Sequence, residues 1–161
     1  MGTAGRKFIY NFILKPQHAK AFTTACTEGR HWLWRVAWHC GLGGALRARL
    51  SAAFGVGDAA GLAECVRQLD ALLTSGALVD ALEARKGPFL GGAELGAADL
   101  ALASFAALCV LPEEYGGKGG TMAPHFAKLL SSDAVLRGHV ERWRGTAVGA
   151  YAMLVYKTQR L

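Results

Sequence analysis

The sequence predicts an all-α fold, a helical bundle built around one buried helix. Apolar residues recur at helical spacing over most of the chain, and the stripe Leu62, Val66, Leu69, Leu72 and Leu73 shows this well. No segment of useful length alternates with period two, so strands are not expected. From Leu100 to Leu111 apolar side chains lie on every face of a 3.6-residue helix, with Ser104 the only polar break. That pattern predicts a helix over about 97–111 that is surrounded by protein. At 161 residues, 52% of them hydrophobic and only 4 of them Pro, the chain fits a single domain with a substantial core.

The first helical region runs from about Arg6 to Thr27, with Phe8, Phe12, Ala19, Phe22 and Cys26 near one stripe and Pro16 kinking or breaking it. The second, His31 to Phe54, carries Trp32, Trp34, Trp38, Leu42 and Leu46, and glycines at 41, 43 and 44 weaken its middle. Gly55-Val56-Gly57-Asp58 breaks the chain, and Asp58 is placed to cap a third helix that continues to about Arg85. The central helix starts at Gly96-Ala97-Ala98-Asp99, where Asp99 reaches back to free backbone amides, and it ends at Pro112. After a surface loop at 116–120, the stretches 122–144 and 146–160 supply one or two closing helices.

Charge is unevenly distributed. Residues 1–50 hold eight Lys or Arg (Arg6, Lys7, Lys15, Lys20, Arg30, Arg35, Arg47, Arg49) against one acid, Glu28, whereas the rest carries ten bases against eleven acids. The chain therefore divides into a basic, Trp-rich front, 1–57, and a nearly neutral remainder, 58–161. A basic front suits nucleic acid, an anionic membrane surface or an acidic protein, and it is also what one solvated face of a helical hairpin looks like. The acid-poor start has some of the character of an organelle transit peptide without its Ser enrichment, and a first structural helix is the favoured reading. Met1-Gly2 opens like a myristoylation site, but Arg6 stands where Ser or Thr is needed. No run is long enough to span a membrane, and no secretory signal is recognisable.

Cys26, Cys40, Cys65 and Cys109 form no Cys-x-x-Cys pair, so buried free thiols in a reducing intracellular compartment, cytoplasm or organelle, are expected. No two of the five His have the i, i+4 spacing of a metal pair, and no metal is expected. The glycines of Gly55-Val56-Gly57 follow a helical pattern rather than a strand, which argues against a dinucleotide site. Gly117-Lys118-Gly119 lacks the Ser or Thr of a phosphate-binding loop. Between His31 and Cys40 lies the one dense aromatic and basic cluster. Trp34 and Trp38 share a helix face, Trp32 points elsewhere, and Arg35 lies between them. Packing into the core competes with a membrane-interface anchor or a protein interface, but three Trp in seven residues do not all fit one core.

Phe89-Leu90-Gly91-Gly92 before the Asp99 helix start resembles the C-terminal helical domain of the glutathione S-transferase superfamily, in which a Phe-Leu-x-Gly turn precedes a Ser/Thr-x-x-Asp box on the central helix. Here Gly96 replaces the Ser or Thr. The segments 111–117, LPEEYGG, and 145–160, GTAVGAYAMLVYKTQR, are similar to one bacterial and plant-like subgroup. The likeness covers about residues 60–161 well and the first third loosely. It implies that Gly92 and Asp99 start the central helix as structural residues, that Tyr115, Tyr151 and Tyr156 pack, and that Tyr10 and Asn11 are substrate-pocket candidates. In that superfamily glutathione sits mainly on an N-terminal thioredoxin-like domain carrying the catalytic Tyr, Ser or Cys, and residues 1–26 are too short and too helical to be one. No catalytic residue and no cofactor are therefore expected in this chain, with glutathione entering only if a thioredoxin-like domain is supplied elsewhere.

Two functions remain open. One is a non-catalytic binding or structural subunit of a homo-oligomer or larger complex, with Trp32, Trp34, Arg35 and Trp38 as interface candidates and a membrane surface as a further partner. The other is the helical half of a glutathione transferase that conjugates or reduces electrophiles. Nucleic acid is disfavoured as a partner.

Overall fold

The computed structural model describes residues 2–115 and 123–159. The loop expected at 116–120, the start of the following region at Met122 and the final basic residue Arg160 lie outside the described residues. Among the described residues the structure is helical, with one isolated bridge between Phe89 and Gly92.

Helix α1 (Gly2–Ile13) buries Phe8, Ile9, Phe12 and Ile13, so the basic start of the chain is a core helix. Pro16 opens a short 3-10 turn, Pro16–His18, because its ring removes an N–H donor and clashes with the preceding turn. Helix α2 (Ala19–Thr27) follows. Helix α3 (Trp32–Ala37) is capped by the His31 imidazole, which accepts from Leu33 N–H at 3.3 Å. A kinked turn, Trp38–Leu42, then joins α3 to α4 (Gly43–Phe54), with Gly41 at φ 119°, a conformation that a side chain would oppose. The chain leaves α4 through the Gly55–Gly57 turn, and Asp58 accepts from Gly61 N–H at 3.0 Å to start α5 (Ala59–Leu73).

The third helix does not continue to Arg85. The Thr74 hydroxyl and N–H both bond the Asp70 carbonyl, at 2.8 and 3.0 Å, and Ser75 turns extended to begin α6 (Gly76–Glu83). The central helix is α7 (Ala97–Val110). Three helices close the chain: α8 (Ala123–Ser132), α9 (Ala134–Arg144) and α10 (Ala147–Gln159). The first two are separated where Asp133 adopts an extended conformation and caps α9 by accepting from Leu136 N–H at 3.0 Å.

Helix α7 packs most extensively on α10 and also meets α1 and α9, while α1 packs on α5. Small residues make this close approach feasible: Ala103, Ala106, Ala107 and Ala152 are all buried at these contacts. The Phe8 ring lies 4.7 Å from Trp143 and 5.1 Å from Phe12, and the Trp143 indole donates to Asp70 at 2.6 Å. Arg144 closes the C-terminal end of α7 by donating to the Val110 and Leu111 carbonyls, each at 2.8 Å. A cation there opposes the negative pole of the helix and binds carbonyls that have no partner within it.

Protein does not surround α7 on every face, as its hydropathy predicts. Leu100 and Phe105 are each 49% exposed, and Ala101 and Ser104 beside them are exposed too. Hydropathy records that a face is apolar, not which element covers it. No helix among the described residues is long and apolar enough to cross a membrane.

The expectation of four buried thiols also needs correction. All four cysteines are free, but only Cys65 and Cys109 are buried, Cys26 is half-buried and Cys40, beside the kink at Gly41, is exposed. Burial pushes the Cys109 thiol up to about 12, and burial also raises Cys26 and Cys65 above the usual thiol range. Alkylation of the native protein followed by peptide mapping should therefore label Cys40 first, Cys26 more slowly, and Cys65 and Cys109 only on unfolding. Native labelling of Cys109 as fast as Cys40 would contradict this packing.

Candidate functional site

Asp99 is fully buried at the start of α7 and joins three parts of the chain. One carboxylate oxygen accepts from Gly96 N–H at 2.7 Å, the other from Leu90 N–H at 2.8 Å and from the Tyr151 hydroxyl of α10. The Tyr151 oxygen in turn accepts from Leu90 N–H at 3.2 Å. Leu90 is presented by a tight turn in which Phe89 and Gly92 exchange backbone hydrogen bonds at 3.1 and 3.0 Å, with Gly92 at φ 117°. Burial alone would raise the Asp99 carboxyl, but the bonds from Tyr151, Leu90 and Gly96 outweigh it and hold the group below the usual carboxylate range. Burial and the adjacent Asp99 carboxylate push the Tyr151 hydroxyl up to about 12. Gly96 has no hydroxyl to return, so only half of the reciprocal cap forms. Every oxygen here is committed to holding backbone and helix together. Tyr151, read from the sequence as a packing residue, is thus also a polar partner.

The two pocket candidates from α1 are separated by their roles. Asn11 is buried, donates to the Lys7 carbonyl at 3.0 Å and accepts from Gly57 N–H at 3.3 Å, which ties α1 to the turn before α5. Tyr10 packs on Phe54 at 4.6 Å.

The front of the chain is different. Trp38 is buried against Phe22, ring centroids 5.9 Å apart, and its indole donates to Thr23 at 3.4 Å. Trp34 lies 6.0 Å from Trp38, donates to the Cys26 carbonyl at 3.1 Å and remains exposed on its outer side. Trp32 is 62% exposed, Leu33 56% and Val36 49%, and together they form an apolar ridge along the outside of α3. On the other side of α3, Arg35, together with His39 from the turn that follows, faces Lys20, Thr23, Thr24, Thr27 and Glu28 across a groove of about 610 Å³. Glu28, the one acid of the front, is turned to His125 at 3.3 Å. Sequence reasoning placed Arg35 here and missed Lys20, Thr23 and His39, since these come together only when α2 and α3 fold side by side.

A second polar cluster sits where the Pro16 turn meets α9. Lys15 and His18 approach Asp133 at 3.1 and 3.6 Å, and the His18 ring is buried. Burial would raise the Asp133 carboxyl, but the Leu136 N–H and Lys15 hold it below the usual range. His139 stacks on Trp143 at 5.6 Å, and burial together with Arg142 lowers its imidazole. Among the described residues no three His, Cys, Asp or Glu are grouped to hold a metal ion.

No protein-family model matches the chain, and no curated protein or solved structure matches it either.

These environments predict the behaviour of the protein in acid. His139, Asp99 and Asp133 are all held below their ordinary pKa values by the fold. Each therefore contributes stability that is present above its unfolded pKa and lost as pH falls through its folded one. Denaturant midpoints should decline in two stages, one beginning near the ordinary imidazole value of about 6.5 and one below about 4. His139→Gln should remove the first stage and Asp99→Asn should shrink the second, and an unchanged profile in both variants would refute the assignment. Asp99→Ala should cost about 2–4 kcal/mol by leaving buried donors unpaired.

Proposed function

We propose that the chain is a non-catalytic helical binding domain that acts as a subunit or adaptor, with the α3 ridge and its basic flank as the contact surface. The observation that carries this is the exposure of Trp32, Leu33 and Val36 side by side on one short helix. Isolated exposed apolar residues are ordinary, whereas a cluster led by a Trp and flanked by Arg is the composition of a binding hot spot. The same helix is anchored from behind by Trp34 and Trp38 through their bonds to Cys26 and Thr23. The ridge is thus held rigid before it meets a partner, which lowers the entropic cost of binding.

A second reading has its own observation. The uncovered apolar face of α7, with Leu100 and Phe105, suits the helical half of a glutathione transferase whose thioredoxin-like half is supplied elsewhere. Glutathione and the chemistry would then reside on that half, and this domain would shape the site for the apolar substrate.

Two measurements on the chain decide between them. A photo-crosslinking residue at position 32 should yield adducts in cells, while the same residue at the exposed Val135 of α9 should yield none. The purified chain should show neither retention on immobilised glutathione nor conjugation of a chloronitrobenzene. Retention with turnover would overturn the non-catalytic reading, and equal adducts at 32 and 135 would remove the contact surface.

A further inference from the structure

The groove beside the ridge gives the contact surface a specific chemistry. Lys20, Arg35 and His39 line it, and among the described residues none of these three side chains has a hydrogen-bond or ion-pair partner. The acid at its rim, Glu28, already faces His125. Thr23 Oγ1 accepts from the Trp38 indole, which leaves its own proton available to a further acceptor. Two unpaired cations, Lys20 and Arg35, with the His39 ring and a free hydroxyl donor around a groove of about 610 Å³, suit a phosphate ester.

The ridge and the groove share α3. Trp32, Leu33 and Val36 stand on its outer side and Arg35 forms a wall of the groove, so one ligand surface has to satisfy both. A bilayer of anionic phospholipid presents phosphate directly above an apolar boundary, and indole rings are favoured at that depth. The charge of this face matches it in sign, since Lys20 and Arg35 stand on it and Glu28, its one acid, is turned to His125.

We propose that α3 and the α2–α3 groove dock on the surface of an anionic phospholipid membrane. Trp32, Leu33 and Val36 enter the boundary between headgroups and acyl chains, and Lys20, Arg35 and His39 hold a lipid phosphate. This rests on the ridge being the contact surface of the chain, and it names the partner of that surface.

The test is sedimentation of the full chain with vesicles of phosphatidylcholine alone or mixed with phosphatidylserine, with tryptophan emission read in parallel. Binding to the mixed vesicles, with a blue shift and with loss at high salt, is the expected result. The double variant Trp32→Ala/Leu33→Ser should lower the partition coefficient at least about tenfold, since losing the burial of one large apolar side chain is already worth about that factor. Lys20→Ala and Arg35→Ala should each lower it about fivefold. All of these positions are exposed, and circular dichroism checks that the variants fold. Equal binding to phosphatidylcholine alone would overturn the proposal, as would inorganic phosphate binding to a chain that never sediments. If the chain stays in the supernatant yet forms oligomers by light scattering that the double variant abolishes, the lipid is wrong and the contact surface stands. If vesicle binding, oligomers and position-32 adducts are all missing, both fail.

Discussion

The Asp99 carboxylate is the constraint on which the helical arrangement depends. A buried charge is costly unless every lone pair is engaged, and Asp99 engages donors from its own helix start, from the Phe89–Gly92 turn and from Tyr151 on α10. Because α7 and α10 form the most extensive helix pair of the core, fixing Tyr151 against Asp99 fixes the register of that pair. At the opposite end Arg144 binds the last carbonyls of α7. The central helix thus has an anion at its positive pole and a cation at its negative one, both in the sense that opposes the dipole. The remaining helices pack around an axis set at both ends by directional bonds, while burial of Phe8, Phe12, Leu136, Val140 and Trp143 supplies the non-directional part of the cohesion.

The front of the chain obeys a different balance. Three Trp within seven residues end in three environments: Trp38 in the core, Trp34 hydrogen-bonded and half-exposed, Trp32 outside. Helix geometry accounts for this, because residues two apart on an α-helix lie about 200° around the axis from each other, while residues four apart share a face. Trp34 and Trp38 can be anchored together only by turning Trp32 away. Gly41, at φ 119°, then kinks the chain between α3 and α4, and Cys40 and Leu42 on either side of it are exposed. The binding reading draws on this arrangement: a rigid helix, anchored through two indoles, that offers its third to a partner.

Much of the fold is legible in the residues. Pro16, Gly41 and Asp58 each carry a strong local preference, and each marks a break or a helix start in the structure. Thr74 and Asp133 give no such signal, because both residue types occur inside helices as well as at their ends. Their breaks are decided by a hydroxyl bonding a carbonyl four residues back and by a carboxylate capping the next helix. The candidate groove was not legible at all. Lys20 and Arg35 are fifteen positions apart on separate helices, and no local pattern says that the two will face each other.

The sequence by itself determined the all-helical character, the position of the central helix and the presence of an anion at its start, since periodicity and capping are local properties. It also determined that the first third is basic and rich in Trp. Only the tertiary structure decided that Leu100 and Phe105 lie uncovered, that Trp32 and not Trp38 meets solvent, and that Lys20, Arg35 and His39 surround one groove. The physical reason is common to all three. Hydropathy and charge are properties of a residue, whereas burial and pairing are properties of the neighbours that folding brings to it.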